Sequence, residues 1–246
     1  MTRSFLVTSA AFVGLFLVTW VVGPLAVTAA DPPAGQEILQ EIRKGATAFE
    51  AEYVGSFSRR NVKATVRDTD SGEVKSIKDT VVDVWAYHGE HPIREIRECR
   101  VDGKAVDLEE CVEKPQVEPS HRFFAEDAAE HYRLEYEGVV PWKGQPSHHV
   151  RLVPLEETTR HLKGDVYFDE ETKRLVGMDV TLAAYPFGVS ALSIDMDFIA
   201  SDGAPVLNRG RSEVEVYVPL LANDRIVTEF TASSQRLLRE REPRGD

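Results

Sequence analysis

The fold is decided by the stretch Leu192-Ser193-Ile194-Asp195-Met196-Asp197-Phe198, in which apolar and polar residues strictly alternate. Side chains alternate between the two faces of a β-strand, so this stretch predicts a strand with one apolar face and one polar face. The same pattern recurs in residues 132–137 and 213–218. Short turn clusters such as Ser201-Asp202-Gly203 separate the predicted strands, and such short links predict antiparallel neighbours.

One amphipathic helix precedes the strands. Apolar residues recur at helical spacing between Ile38 and Phe49, which predicts a helix over residues 36–51. A second, short helix is predicted near residues 123–129, inside a long connection over 112–130. The predicted fold class is α+β, mainly β: a curled antiparallel sheet, or incomplete β-barrel, whose apolar concave face is closed by the N-terminal helix and the short helix. The residues predicted to act as a lid are Leu39, Ile42, Phe49, Phe123 and Phe124.

The N-terminal residues have the order of a secretory signal peptide. A basic start at residues 1–4 is followed by an apolar run over 5–22 and by small residues at 27–30. Cleavage after Ala29 or Ala30 would place the mature protein in the periplasm or otherwise outside the cytoplasm. The alternative is an uncleaved membrane anchor, because roughly 18 apolar residues are long enough to span a bilayer.

The remaining chain divides into three parts. Residues 31–35 form a Pro/Gly linker, 36–236 are expected to form a single half-barrel domain, and 237–246 are expected to be a disordered tail. The formal net charge of −12 argues against a nucleic-acid partner, since such a surface repels phosphate backbones. We expect a monomer.

Only two cysteines are present, Cys99 and Cys111. The turn-forming Asp102-Gly103 lies between them, so the pair is well placed to close a local loop in an oxidising compartment. The sequence therefore predicts a disulfide, and the alternative is two reduced, buried thiols.

Catalytic motifs are absent from the sequence. His88 and His91 lie in a predicted turn that prescribes no third metal ligand, and His148 and His149 are strand neighbours that point to opposite faces. Two carboxylate pairs are predicted on the solvated face: Asp195 with Asp197, and Glu213 with Glu215. We therefore predict a protein that is not an enzyme and has no cofactor, with a metal-dependent hydrolase using His88 and His91 as the lesser alternative.

A curled sheet capped by one main helix can retain a hydrophobic cavity, and such concave apolar sites bind lipids. The candidate cavity residues share the apolar face of the predicted strands. They are Tyr132, Leu134, Tyr136, Phe168, Leu192, Ile194, Met196, Phe198, Val214 and Val216.

The chain resembles the periplasmic lipoprotein carriers of the LolA and LolB superfamily, especially the proteins described as outer-membrane lipoprotein-sorting proteins. The resemblance is carried by the helix at 37–42 and by the segments 100–106, 136–138, 144–146, 150–154, 164–169 and 172–175. It implies an incomplete antiparallel barrel whose concave face binds acyl chains, either as free lipid or on a lipoprotein. The alternative is an envelope interaction or sensor domain that binds a protein partner.

Overall fold

A computed structural model describes residues 33–87, 90, 92–111, 128–201, 204–219 and 222–242. The helices are α1 Pro33–Glu52, α2 Leu108–Cys111 and α3 Ala128–His131. The strands are β1 Gly55–Asp68, β2 Val74–Tyr87, β3 Ile93–Val101, β4 Lys104–Ala105, β5 Tyr132–Trp142, β6 Gln145–Pro154, β7 Leu162–Asp169, β8 Leu175–Leu182, β9 Val189–Ser201, β10 Ala204–Val218 and β11 Ala222–Leu238.

The strands form one antiparallel sheet of eleven strands in the order β4-β3-β2-β1-β11-β10-β9-β8-β7-β6-β5. Strands that are neighbours in the sheet are also consecutive in the chain, except where β1 pairs with β11. β4 and β5 lie at opposite ends of the sheet. The predicted fold class is therefore confirmed as an open, curled antiparallel sheet with an N-terminal helix.

Apolar side chains gather on one face of the sheet, which we call the inner face. One row of directly paired residues runs across almost the whole sheet on this face. The row consists of Tyr136, Val150, Val166, Met178, Met196, Gly210, Phe230, Val62, Thr80 and Cys99. Five of these ten residues are buried members of one core cluster and two more pack against it, so the period-two pattern places the core on the predicted side.

Helix α1 covers the β5 end of the inner face. Leu39 and Ile42 are only 2% and 1% exposed and belong to the same core cluster as the strands. Gly35 permits close approach to β5, since a Cβ atom there would lie 3.0 Å from Cδ1 of Tyr136. The predicted helix is confirmed, with its apolar stripe buried against the sheet.

Helix α2 lies at the other end of the sheet and is fixed by the predicted disulfide between Cys99 and Cys111. Cys99 is an inner-face residue of β3, so the bond holds this four-residue helix on the inner side. A helix of one turn cannot bury much apolar surface of its own, and the covalent bond replaces that packing. The predicted disulfide is confirmed.

On the outer face, Asp83 of β2 joins β1 and β3. Its buried carboxylate accepts hydrogen bonds from Nε and Nη2 of Arg59 at 2.7 and 2.8 Å, and from Nε of Arg97 at 2.7 Å. Arg59 and then Arg97 hold the pKa of the Asp83 carboxyl below its ordinary value, against the opposing effect of burial. Three neighbouring strands thus share one charged contact.

Replacing Asp83 with asparagine should lower the free energy of unfolding at pH 7 by about 1–3 kcal/mol, because charge-assisted bonds are lost. A carboxyl whose folded pKa is depressed stabilises the fold above its unfolded pKa, and this contribution disappears as the pH falls through the folded pKa. The difference from wild type should therefore shrink below about pH 4. Urea unfolding at pH 7 and pH 3 measures this difference in the free energy of unfolding. The control is Asp79→Asn, at an exposed position of the same strand. An equal difference at both pH values would contradict the assignment.

A smaller apolar cluster lies at the C-terminal end of the sheet. It contains Phe57, Tyr87 and Leu238, with Trp85 packed against it. The carboxylate of Glu242 accepts hydrogen bonds from Trp85 Nε1 at 3.1 Å and from Arg236. The structured chain thus extends past the domain boundary placed at residue 236 in the sequence.

The outer face is not uniformly solvated. Asp197, predicted to be a solvated carboxylate, is only 6% exposed and forms ion pairs with Lys143 and Arg209. That prediction was wrong because the turn after β5 folds over the sheet: a Cβ atom at Gly177 would lie 2.2 Å from Nε1 of Trp142, next to Lys143. Lys143 and Arg209 are both cations, so they compensate the negative charge of the buried Asp197 carboxylate.

Candidate functional site

The predicted cavity residues all lie in or against the main core cluster. Eight are buried members of it, and Tyr136 and Val216 are partly buried against it. The lid candidates Leu39 and Ile42 join the same cluster. Phe49 belongs to α1 but its side chain, like Phe123 and Phe124, lies outside the described part of the chain. The structure thus brings the described candidates together, and their contact with a ligand stays a prediction.

The side chains in this part of the inner face are buried. Phe168 is fully buried, and the hydroxyl oxygen of Tyr132 accepts a hydrogen bond from the Leu162 N–H at 3.1 Å. Burial raises the pKa of Tyr132 to about 12. His148 points inward to the Tyr136 hydroxyl, whereas its neighbour His149 bonds to Asp165, which confirms that they face opposite sides.

A cavity of about 450 Å³ lies at the opposite end of the inner face, over β11, β1, β2 and β3. Its apolar floor and walls include Val62, Val82 and Val84 of β1 and β2. The remaining lining residues are Arg60, Lys78, Thr80, Arg94, Glu95, Ile96, Leu108, Glu109, Cys111 and Phe230. The ten residues predicted from the sequence are not part of this lining.

The cavity follows from a difference in side-chain size and cover. In the inner-face row, β8 and β9 carry the large side chains Met178 and Met196, whereas β1 and β2 carry the smaller Val62 and Thr80. Helix α1 covers the β7–β9 half from the β5 side. The disulfide-linked α2 forms one wall, through Leu108 and Cys111. Smaller side chains and a one-turn cover leave space that a longer helix would fill.

One wall residue is an arginine at an inward position. Arg60 is 3% exposed and alternates with Val62, so it points to the inner face with the apolar residues. Its Nε donates a hydrogen bond to Ser58 Oγ at 2.7 Å, and its guanidinium carbon lies 5.4 Å from the centre of the Phe230 ring. Nη1 is buried and has no hydrogen-bond partner among the described residues.

Burial, and secondarily the nearby Arg94, lowers the pKa of the Arg60 guanidinium to about 9. Arg60 thus remains charged at neutral pH in a site that disfavours the charge. A second cation, Lys78, donates from Nζ to the Cys111 carbonyl oxygen at 3.1 Å and joins β2 to α2. The cavity therefore combines an apolar floor with cationic walls.

Sequence reasoning missed this site although its signals are present. Thr80, Val82 and Val84 alternate on β2, and Arg60 interrupts the apolar inner positions of β1. Alternation identifies the face on which such residues lie. Only the sheet order shows that α1 covers the β5 end of that face and not the strands around Arg60.

No group of three or more His, Cys, Asp or Glu side chains suited to a metal ion occurs in the described ranges. His88 and His91, the residues of the hydrolase alternative, lie outside those ranges. Within the described chain, none of the helices combines the length and apolar character needed to span a membrane.

Neither a protein-family model nor a curated protein matches this chain. Among solved structures, it is similar to a putative outer membrane lipoprotein-sorting protein domain from Vibrio parahaemolyticus, with 13% identity, a TM-score of 0.41, and coverage of 83% of this chain and 92% of that chain. A LolA superfamily protein from Nitrosomonas europaea is similar to the chain with 14% identity and a TM-score of 0.41. The match covers 85% of this chain and 94% of that chain.

The complex of MucA and MucB from Pseudomonas aeruginosa gives 10% identity, a TM-score of 0.27, and coverage of 83% of this chain and 99% of that chain. The resemblance to LolA-like proteins seen in the sequence is thus found again among solved structures, at low identity and low TM-score.

Proposed function

We propose that this protein is an exported, non-enzymatic binding protein that accepts an acyl chain, as free lipid or on a lipoprotein, in the cavity over β11, β1, β2 and β3. The observation that supports the proposal is the cavity of about 450 Å³ with its valine floor. This volume lies within the usual range of about 300–1,000 Å³ for small-molecule sites.

The binding energy would come from removing the chain from water. Each buried methylene contributes about 0.8 kcal/mol, so even a partly buried acyl chain would bind measurably. Val82, Val84 and Ile96 offer apolar surface on adjacent strands, and Phe230 adds an aromatic face. Export is supported by the N-terminal sequence and is compatible with the Cys99–Cys111 disulfide, since such bonds persist in oxidising compartments.

Filling the cavity tests the proposal. Tryptophan in place of Val82 projects from the floor and should lower the affinity for a fluorescent fatty-acid analogue at least about tenfold, because excluding two methylenes alone costs about 1.6 kcal/mol. Fluorescence titration of the purified protein measures the effect. The control is Val139→Trp, the same substitution at a half-exposed position of β5.

Two further results bear on the proposal. Lipid extraction of the protein purified from the bacterial periplasm should yield a bound acyl species. The proposal fails if no acyl species is extracted and the wild-type protein does not bind the probe. It also fails if Val82→Trp binds the probe as tightly as wild type.

A second candidate function, binding of an envelope protein, is favoured by an exposed aromatic turn between β8 and β9. Phe187 is 93% exposed, and Tyr185 and Tyr217 near it are also exposed. The N–H of Tyr217 bonds to the Gly188 carbonyl oxygen at 2.8 Å, which holds β10 beside this turn. Large exposed aromatic residues are typical of contact surfaces. An intact partner complex that depends on Phe187 but not on the cavity would favour this function.

A further inference from the structure

Arg60 is an isolated buried charge. No carboxylate in the described chain forms an ion pair with it, and its contacts are the Ser58 hydroxyl and the Phe230 ring. Burying an ion without a counterion is strongly unfavourable, and proteins pair such groups or use them at functional sites. The adjacent Arg59 shows the contrast, because it lies on the outer face and pairs with Asp83.

The charges around Arg60 reinforce this imbalance. Three cations line the cavity: Arg60 from β1, Lys78 from β2 and Arg94 from β3. The two carboxylates in the lining are Glu95 and Glu109, and Glu95 already pairs with Arg97. Among the described residues that line the cavity, cations thus outnumber carboxylates by three to two.

We propose that the cavity binds anionic amphiphiles, and that Arg60 is the residue that binds their acidic head group. The inference rests on the proposed function and specifies its ligand class: an acyl chain that ends in a carboxylate or a phosphate. The guanidinium offers a planar fork of N–H donors that matches both groups, and Nη1 is the donor left without a partner. The alkyl chain lies on the valine floor beside it.

Such a ligand would supply an anion beside the Arg60 guanidinium. The acidic head group would act as the counterion of Arg60, and Arg94 and Lys78 would add to the attraction from neighbouring strands. The depressed pKa of Arg60 agrees with this picture, since a bound anion favours the charged form of the guanidinium. Neutral lipids would gain the apolar contacts alone.

The test compares Arg60→Met with wild type, because methionine keeps an unbranched apolar side chain and removes the charge. Displacement of a fluorescent acyl probe is measured with three competitors of equal chain length: a fatty acid, the corresponding fatty alcohol and a phosphatidic acid. Arg60→Met should weaken binding of an acidic competitor roughly 10- to 100-fold, the range for a charge-assisted hydrogen bond. Binding of the alcohol should change by less than about twofold.

The acidic competitor that Arg60→Met affects identifies the source of the anion. Loss for the fatty acid assigns a free fatty acid, and loss for the phosphatidic acid alone assigns a phospholipid head group. Arg60→Lys should restore part of the affinity, since it returns the charge without the fork. Arg67→Met on the same strand is the matched control, because Arg67 is an exposed residue of the opposite face.

Two results separate the failure of this inference from failure of the proposed function. If acid and alcohol bind wild type equally and Arg60→Met changes neither, acidic recognition is overturned while acyl binding stands. If neither the probe nor any competitor binds the wild type, both this inference and the proposed function are contradicted. Thermal unfolding keeps the comparison valid, because removal of an unpaired buried charge should raise rather than lower the melting temperature of Arg60→Met.

Discussion

Replacing Phe168 with alanine should lower the free energy of unfolding by about 3–5 kcal/mol, the usual cost of removing a large aromatic side chain from a core. Phe168 is 0% exposed and pairs with His148 across β6 and β7. Because α1 packs over this end of the sheet, neighbouring side chains have little freedom to close the space. Urea unfolding followed by circular dichroism measures the loss.

The chain offers a matched control for this substitution. Phe187 is 93% exposed, so Phe187→Ala should change the free energy of unfolding by no more than about 0.5 kcal/mol. Equal effects of the two alanine substitutions would show that the β5–β9 half of the inner face is not the stabilising core. A loss below about 1 kcal/mol at Phe168 would mean that this region is loosely packed.

Removing the disulfide should have the second large effect. Cys99 and Cys111 are 12 residues apart, and closing a loop of this size stabilises by about 3 kcal/mol in the chain-entropy model. The double variant Cys99→Ser, Cys111→Ser should therefore lose about that much. It should also bind the acyl probe more weakly, since Leu108 and Cys111 form a cavity wall that this bond holds against β3.

Reduction provides the internal control. Dithiothreitol should lower the stability of the wild type to that of the serine variant and leave the serine variant unchanged. The Phe168→Ala protein should respond to reduction as the wild type does, because the two sites lie at opposite ends of the sheet and distant effects add. A serine variant that is as stable as the oxidised wild type would contradict the proposed role of the bond.

The fold was predictable because its signals are local. Alternation in residues 192–198 needs no knowledge of the partner strand, and the spacing of Leu39 and Ile42 needs only the helical period. The disulfide was predictable for the same reason, since Cys99 and Cys111 are joined by one turn. These features persist in the structure with small shifts of their boundaries.

The position of the cavity was not predictable in this way. Helix α1 precedes β1 in the chain, yet it covers the β5 end, where Gly35 meets Tyr136. Because β1 pairs with β11, β1 lies far from β5 in the sheet, although α1 directly precedes β1 in the chain. Candidate residues chosen by alternation alone therefore came from the half of the inner face that α1 covers.

Charge raised a similar difficulty. Arg59 and Arg60 are adjacent and chemically identical, but strand register gives one of them Asp83 and places the other in an apolar cavity. Asp197 became buried because Lys143 reaches it from a distant turn. Such roles depend on contacts between segments far apart in the chain, which residue patterns do not encode.

The pairing of β1 with β11 also governs when the molecule can assemble. These strands are the first and the last of the sheet, and their register runs from Gly55 opposite Leu238 to Asp68 opposite Asp224. Three of the four strands that carry the cavity, β1 to β3, join the rest of the sheet only through β11. The sheet is thus completed only after the last strand has emerged, and such long-range pairing is intrinsically slow. If the chain is exported unfolded, it would therefore cross the membrane before this step and form the cavity only on the far side.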